Sequence, residues 1–167
     1  MKRNFVKTAG GTFLIFAVVS VIAYSVTFAQ EKSFPQLGGG GRLDGTWDVL
    51  VTLRNCQTND EIRTFASTTT FMTGGTLLDS TSGIPPAQKT PGHGVWRHDS
   101  RNNYQFSFKN FNFDAAGNYT GWTIVRQVAT LNSNGNDYTS SGTSEVYAPN
   151  GTLLFNGCST TTATRFE

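Results

Sequence analysis

Residues 119–147 read YTGWTIVRQVATLNSNGNDYTSSGTSEVY. Two runs rich in Thr, Val, Tyr and Ser flank a short polar segment with Asn134-Gly135 at its centre. β-Branched and aromatic residues favour extended backbone, and Asn-Gly supplies the positive φ that a tight hairpin needs. The stretch therefore predicts two antiparallel strands, Tyr119–Leu131 and Tyr138–Tyr147.

The same pattern continues outward on both sides. Pro149-Asn150-Gly151 turns the chain into a final strand, Leu153 to Phe166, and Asp114-Ala115-Ala116-Gly117-Asn118 precedes the first of the two. Before that turn, Tyr104 to Phe113 reads as a strand whose aromatics switch parity. Tyr104, Phe106 and Phe108 share one face while Phe111 and Phe113 fall on the other, which predicts a bulge near Lys109-Asn110. Gly94 to Asp99 is a shorter strand, with a turn over Ser100 to Asn103. Upstream, Trp47, Val49, Val51 and Leu53 alternate with Asp48, Leu50, Thr52 and Arg54, the period of a half-buried strand. Arg63 to Met72 follows, and Gly74-Gly75 leads to a strand around Thr76 to Ser80. Between Ser82 and Pro91, prolines at 85, 86 and 91 forbid regular pairing. No window carries a helical stripe. Eight strands joined mostly by short turns make an antiparallel meander, and closing it removes both edges. The expected fold is all-β, an eight-stranded up-and-down barrel over residues 42–167.

The amino terminus belongs to a different class. Lys2, Arg3 and Lys7 precede an apolar stretch from Thr12 to Val26, which ends in Thr27-Phe28-Ala29 before Gln30-Glu31. A basic start, a short apolar centre and a small-x-small exit read as a signal peptide, residues 1–29, removed after Ala29. An uncleaved anchor helix is the other reading, since Thr8 to Ala29 is long enough to cross a bilayer. Residues 30–41 read as a flexible linker ending in Gly38-Gly39-Gly40-Gly41. The expected location is secreted or periplasmic.

Charge is nearly balanced once the leader is set aside. Ten Lys and Arg then face eleven acidic residues, a balance of −1. That excludes the basic footprint of a nucleic-acid binder and offers no cationic patch for a membrane surface. Cys56 and Cys158 are the only cysteines, and an exported chain meets an oxidising compartment, so a disulfide between them is expected. Metal binding is the alternative for two thiols, but no histidine lies at metal-ligand spacing from them, and neither metal nor cofactor is expected. If the first and last strands pair with Cys56 opposite Cys158, Arg165 lies diagonally across from Trp47, and those two meet on the inward face.

Gly45-Thr46-Trp47 opening the first strand, with Arg165 ending the last, resembles the Gly-x-Trp motif and Trp-packing arginine of lipocalin-like (calycin-type) barrels. Pro91-Gly92-His93-Gly94-Val95-Trp96 and the ending from Gly157 to Phe166 are similar to a group of small exported bacterial proteins. The lipocalin resemblance implies a barrel with an apolar calyx open at one end. The second resemblance implies compartment and fold, and carries no chemistry with it. The chain departs from lipocalins in lacking an evident carboxy-terminal helix.

Few residues suggest catalysis. His93 and His98 fall on opposite faces of one strand, so a flat strand cannot bring them to one metal. His93 between two glycines is the weak catalytic candidate, as acid, base or ligand at a barrel mouth; a solvated turn histidine is the plainer reading. No Gly-x-Ser-x-Gly elbow occurs, the carboxylates are scattered, and the tetraglycine lacks the Lys-Ser/Thr of a phosphate loop. Arg126 shares parity with Trp122, Ile124 and Val128. If that face is inward, the buried cation requires an anionic partner; if outward, Val125, Ala129 and Leu131 face in.

These residues support three readings. The first is an exported barrel binding one small hydrophobic molecule, lined by Phe71, Trp96, Tyr104, Phe106, Trp122 and Arg126. The second is a cofactor-free barrel enzyme of isomerase or cyclase type on a hydrophobic substrate, with His93 or Arg126 polarising it. The third is a filled barrel presenting the Ser82–Pro91 loop to an envelope partner.

Overall fold

A computed structural model of the protein describes residues 42–166; residues 1–29 and 30–41, read above as leader and linker, lie outside the described residues. Strands form where Thr, Val, Phe and Tyr alternate: β1 (Gly45–Arg54), β2 (Glu61–Met72), β3 (Thr76–Thr81), β4 (Gly92–Ser100), β5 (Asn103–Phe113), β6 (Tyr119–Leu131), β7 (Asp137–Tyr147) and β8 (Leu153–Arg165). Each pairs antiparallel with its neighbours, and β1 pairs with both β2 and β8, so the sheet closes into an eight-stranded barrel without a free edge. One short 3₁₀ turn, Pro86–Gln88, interrupts the long β3–β4 loop. Among the described residues no helix is long and apolar enough to cross a membrane.

The seam between the terminal strands sits two positions from the register that the cysteines suggest. Trp47 is directly opposite Arg165, and Cys158 is opposite Arg54. Cys56 lies just past the end of β1 and reaches back to Cys158, with 5.2 Å between the Cα atoms. A disulfide accommodates that offset because its partners need not be paired in a ladder. The bridge spans 102 positions of sequence, and in the loop-entropy picture such a link contributes on the order of 4–5 kcal/mol.

The parity switch in β5 has a different cause from the predicted bulge. Pairing with β6 runs unbroken from Asn103 to Asn112, and its irregularity comes only at Asn112/Phe113. Asn110, on the inward face, is buried, whereas Phe111 stands outside against Tyr119. The aromatics change face because the strand stays regular and the inward position is given to an asparagine.

One end of the barrel is solidly filled. Phe71 packs edge-on against Trp96, Phe106 and Tyr138, with ring centroids 5.7, 5.3 and 6.1 Å away, and Tyr138 packs on Trp47 at 4.9 Å. Such edge-to-face contacts add to the gain from removing large rings from water, roughly 1.5–3 kcal/mol per fully buried side chain. The polar edges are satisfied: Trp47 Nε1 donates to Leu43 O and Trp96 Nε1 to Met72 O, each at 3.0 Å.

Arg165 seals the floor beneath this plug. Its guanidinium lies 4.3 Å from the Trp47 ring centroid and donates to the carbonyls of Arg42, Asp44 and Gly135. Gly45 is required here: its φ is +123°, and a Cβ would stand 2.6 Å from the guanidinium nitrogen. The Gly-x-Trp opening and the terminal arginine therefore act as one unit.

Candidate functional site

Away from the plug, the barrel interior opens. β1, β3, β5 and β7 run from the plugged end toward the other, where the β1–β2, β3–β4, β5–β6 and β7–β8 connections lie. A cavity of about 230 Å³ occupies this half. Its wall includes Val49, Val51, Phe65, Phe108, Val125 and Val146, all at inward positions of their strands. It reaches Arg63, Ile84 and Phe155 at the rim; these three are exposed, which gives the cavity access from solvent.

Polar groups gather where the cavity meets the plug. Asp79 faces in from β3 and is buried, with its Oδ2 accepting from Ser67 Oγ at 2.8 Å and Thr69 Oγ1 at 3.1 Å. Its Oδ1 stands 3.5 Å from Lys89 Nζ, and both side chains are more than nine-tenths buried. Lys89 comes from the Pro-rich loop, which folds onto the barrel wall rather than away from it. Lys89 makes an isolated backbone bridge with Asn112, Thr90 N donates to Phe111 O, and Arg63 donates to Gly83 O. Tyr138 closes the floor beside Asp79. Burial pushes its phenol well above the ordinary tyrosine value, and the negative Asp79 adds to the effect. On the opposite wall Gln127 is buried, donating to Ser159 Oγ and accepting from Ser140 Oγ.

Among the buried polar groups lining the cavity, Asn110 is the exception to this satisfaction. It is 2% exposed, its Nδ2 donates to Asn112 Oδ1, and its Oδ1 has no partner among the described residues. Nearly all buried polar atoms in folded proteins are paired, so an acceptor without a partner here is unusual.

The structure sorts the expected lining residues into three places. Phe106 borders the cavity. Phe71, Trp96 and Tyr104 are buried in the plug beneath it. Trp122 and Arg126 stand on the outer face, contrary to the expectation that they line the interior. The inward parity of β6 belongs instead to Val125, Gln127, Ala129 and Leu131. Outside, Glu145 accepts from the Tyr147 hydroxyl and lies 2.6 Å from Arg126, and these bonds, that of Tyr147 foremost, lower its carboxyl pKa. Trp122 is stacked on Tyr147, with Lys109 Nζ 4.5 Å from its ring centroid.

His93 is exposed on the outer face of β4, opposite Leu78 and Lys109. The glycines beside it serve the interior: a Cβ at Gly92 would stand 2.5 Å from the Phe108 ring, and one at Gly94 would strike Ser107 O and Phe108. His98 turns its Nε2 to Arg101 O. Among the described residues no three His, Cys, Asp or Glu side chains gather in metal-binding range.

Asp79, Lys89 and Asn110 were missing from the sequence reading. Asp79 gives a faint signal, since it shares parity with Leu77 in a short strand. Lys89 gives none, because its burial depends on how the loop folds. Two further depressions, of about 360 and 640 Å³, lie over strand surfaces and are lined largely by outward residues such as Val95, Arg97, Leu50 and Thr68. They are dips between side chains on the outside of the sheet.

No protein-family model matches the chain, and no curated protein matches it. Among solved structures, the crystal structure of Rv2717c from M. tuberculosis is similar with a TM-score of 0.38 and 10% identity, over 80% of this chain and 98% of that one.

Proposed function

We propose that this protein is an exported barrel that holds one small, largely apolar molecule in its interior. The observation that carries the reading is the cavity of about 230 Å³ with a mostly apolar wall, a solvent-reaching rim and a polar floor. It is somewhat smaller than common ligand pockets, roughly 300–1,000 Å³. An apolar cavity of about 150 Å³ nevertheless accepts benzene in another protein, so a single ring with a short substituent suits this one. Export is supported by the leader-like start and by the Cys56–Cys158 bridge, which suits an oxidising compartment. The enzyme reading loses its two named residues, since His93 and Arg126 both face away from the interior.

Titration with toluene, followed by amide NMR, tests the proposal. Saturable shifts at Val51, Phe108 and Val125 are expected, with Arg126 and Trp122 disturbed less. Val125→Phe extends into the cavity and is expected to abolish those shifts while keeping the dispersed spectrum of the fold. Shifts confined to the outer face, or none at all with toluene and with polar analogues of its size, would overturn the reading.

A further inference from the structure

We infer that the ligand is electrically neutral and carries a hydroxyl at its buried end, received between Lys89 and Asn110. This deepens the proposed function and rests on it.

Three observations select that head group. The charges at the cavity floor already balance, because Asp79 and Lys89 face one another with little solvent around either. A carboxylate entering there would meet Asp79 as a like charge, and an ammonium would meet Lys89. Either would disturb a buried pair, which is costly when one partner is left uncompensated. Arg63, the other cation of the cavity lining, stays at the rim, where it lies 5.1 Å from the Phe65 ring centroid and donates to Gly83 O.

The second observation is spare donor capacity. The 3.5 Å separation between Lys89 Nζ and Asp79 exceeds the roughly 2.7–2.9 Å of a strong charge-assisted hydrogen bond. The ammonium therefore has protons to offer a ligand oxygen. Asp79, by contrast, has Oδ2 taken up by Ser67 and Thr69.

The third is spare acceptor capacity. Asn110 Oδ1 is buried on the cavity wall without a donor. Lys89 is bridged through its backbone to Asn112, two residues along β5 from Asn110, and Lys89 and Asn110 both line the cavity. A group that meets both needs must accept one hydrogen bond and donate one. A hydroxyl does this with a single heavy atom, which suits so small a space. A bare hydrocarbon meets neither, and burying unmet polar groups costs free energy.

A matched series of toluene, benzyl alcohol, benzoate and benzylammonium, titrated into the folded protein with its disulfide intact, separates the possibilities. Benzyl alcohol is expected to bind on the order of tenfold more tightly than toluene, the scale of one or two net hydrogen bonds, and more tightly than either ion. Asn110→Leu is expected to reduce the alcohol to the affinity of toluene while toluene still binds. The paired change Asp79→Leu with Lys89→Met, which leaves no lone charge, provides a second route to the same loss of preference. If an ion binds best, or the alcohol gains nothing over toluene, the head-group inference falls and the cavity reading survives. If no member of the series binds inside the barrel, both fall.

Discussion

Lys89 carries a positive charge into the barrel from a loop, and Asp79 receives it from the third strand. Taking two ions out of water is expensive, so such a pair adds little net stability by itself; removing one partner is what costs. Lys89→Met leaves the buried Asp79 carboxylate with only the Ser67 and Thr69 hydroxyls. That substitution is expected to destabilise the fold by about 3 kcal/mol in denaturant titration. Asp79→Leu added to it should recover most of the loss, because neither charge then remains. A single mutant as stable as the parent would show that the loop lysine does not reside in the interior. At this scale the sequence was only partly legible. Trp47 and Arg165 could be joined because a motif and two strand ends pointed to each other. Asn110 and Lys89 could not, because an asparagine among phenylalanines and a lysine among prolines look the same whether buried or solvated.

Among the elements, β4 shows how far alternation leads and where it stops. The Gly92-His93-Gly94 segment draws attention to its histidine, yet the two glycines are the residues under constraint, lying against Phe108 of β5. Gly94→Ala places a methyl group against the Ser107 carbonyl and the neighbouring Phe108. A loss of about 1–3 kcal/mol is expected, read as a lowered melting temperature; an unchanged value would mean that the β5 backbone does not press on β4 at this position. Strand positions were legible throughout because turn residues bracket each apolar run. Facing was harder. β6 carries apolar residues on both parities, with Trp122, Ile124 and Val128 on one and Val125, Ala129 and Leu131 on the other. Gln127 decides the matter, since its amide finds Ser140 and Ser159 on the inward face of the next two strands. Those partners belong to β7 and β8, so local pattern could not reveal them.

For the whole molecule, closure follows from arithmetic that the chain carries openly. Eight strands, short hairpins and two cysteines placed to meet at one end of the seam leave the barrel as the arrangement without edges. Its division into a filled half and a hollow half was not written so plainly, because both halves are built from aromatics at inward positions. The plug gathers Trp47, Phe71, Trp96 and Tyr138 where Arg165 can close the end. The other half keeps Phe65, Phe108 and the valines apart around open space. The aromatic wall expected from the sequence is thus mostly the floor beneath the site.

The central claim is that the hollow half holds a small molecule, and native mass spectrometry of the protein purified gently from its own host tests it most directly. A retained mass that leaves on denaturation, and that is absent from Val125→Phe prepared in the same way, is the result expected here. A retained mass of the same size on both proteins would contradict the claim, since the molecule would then sit outside the cavity.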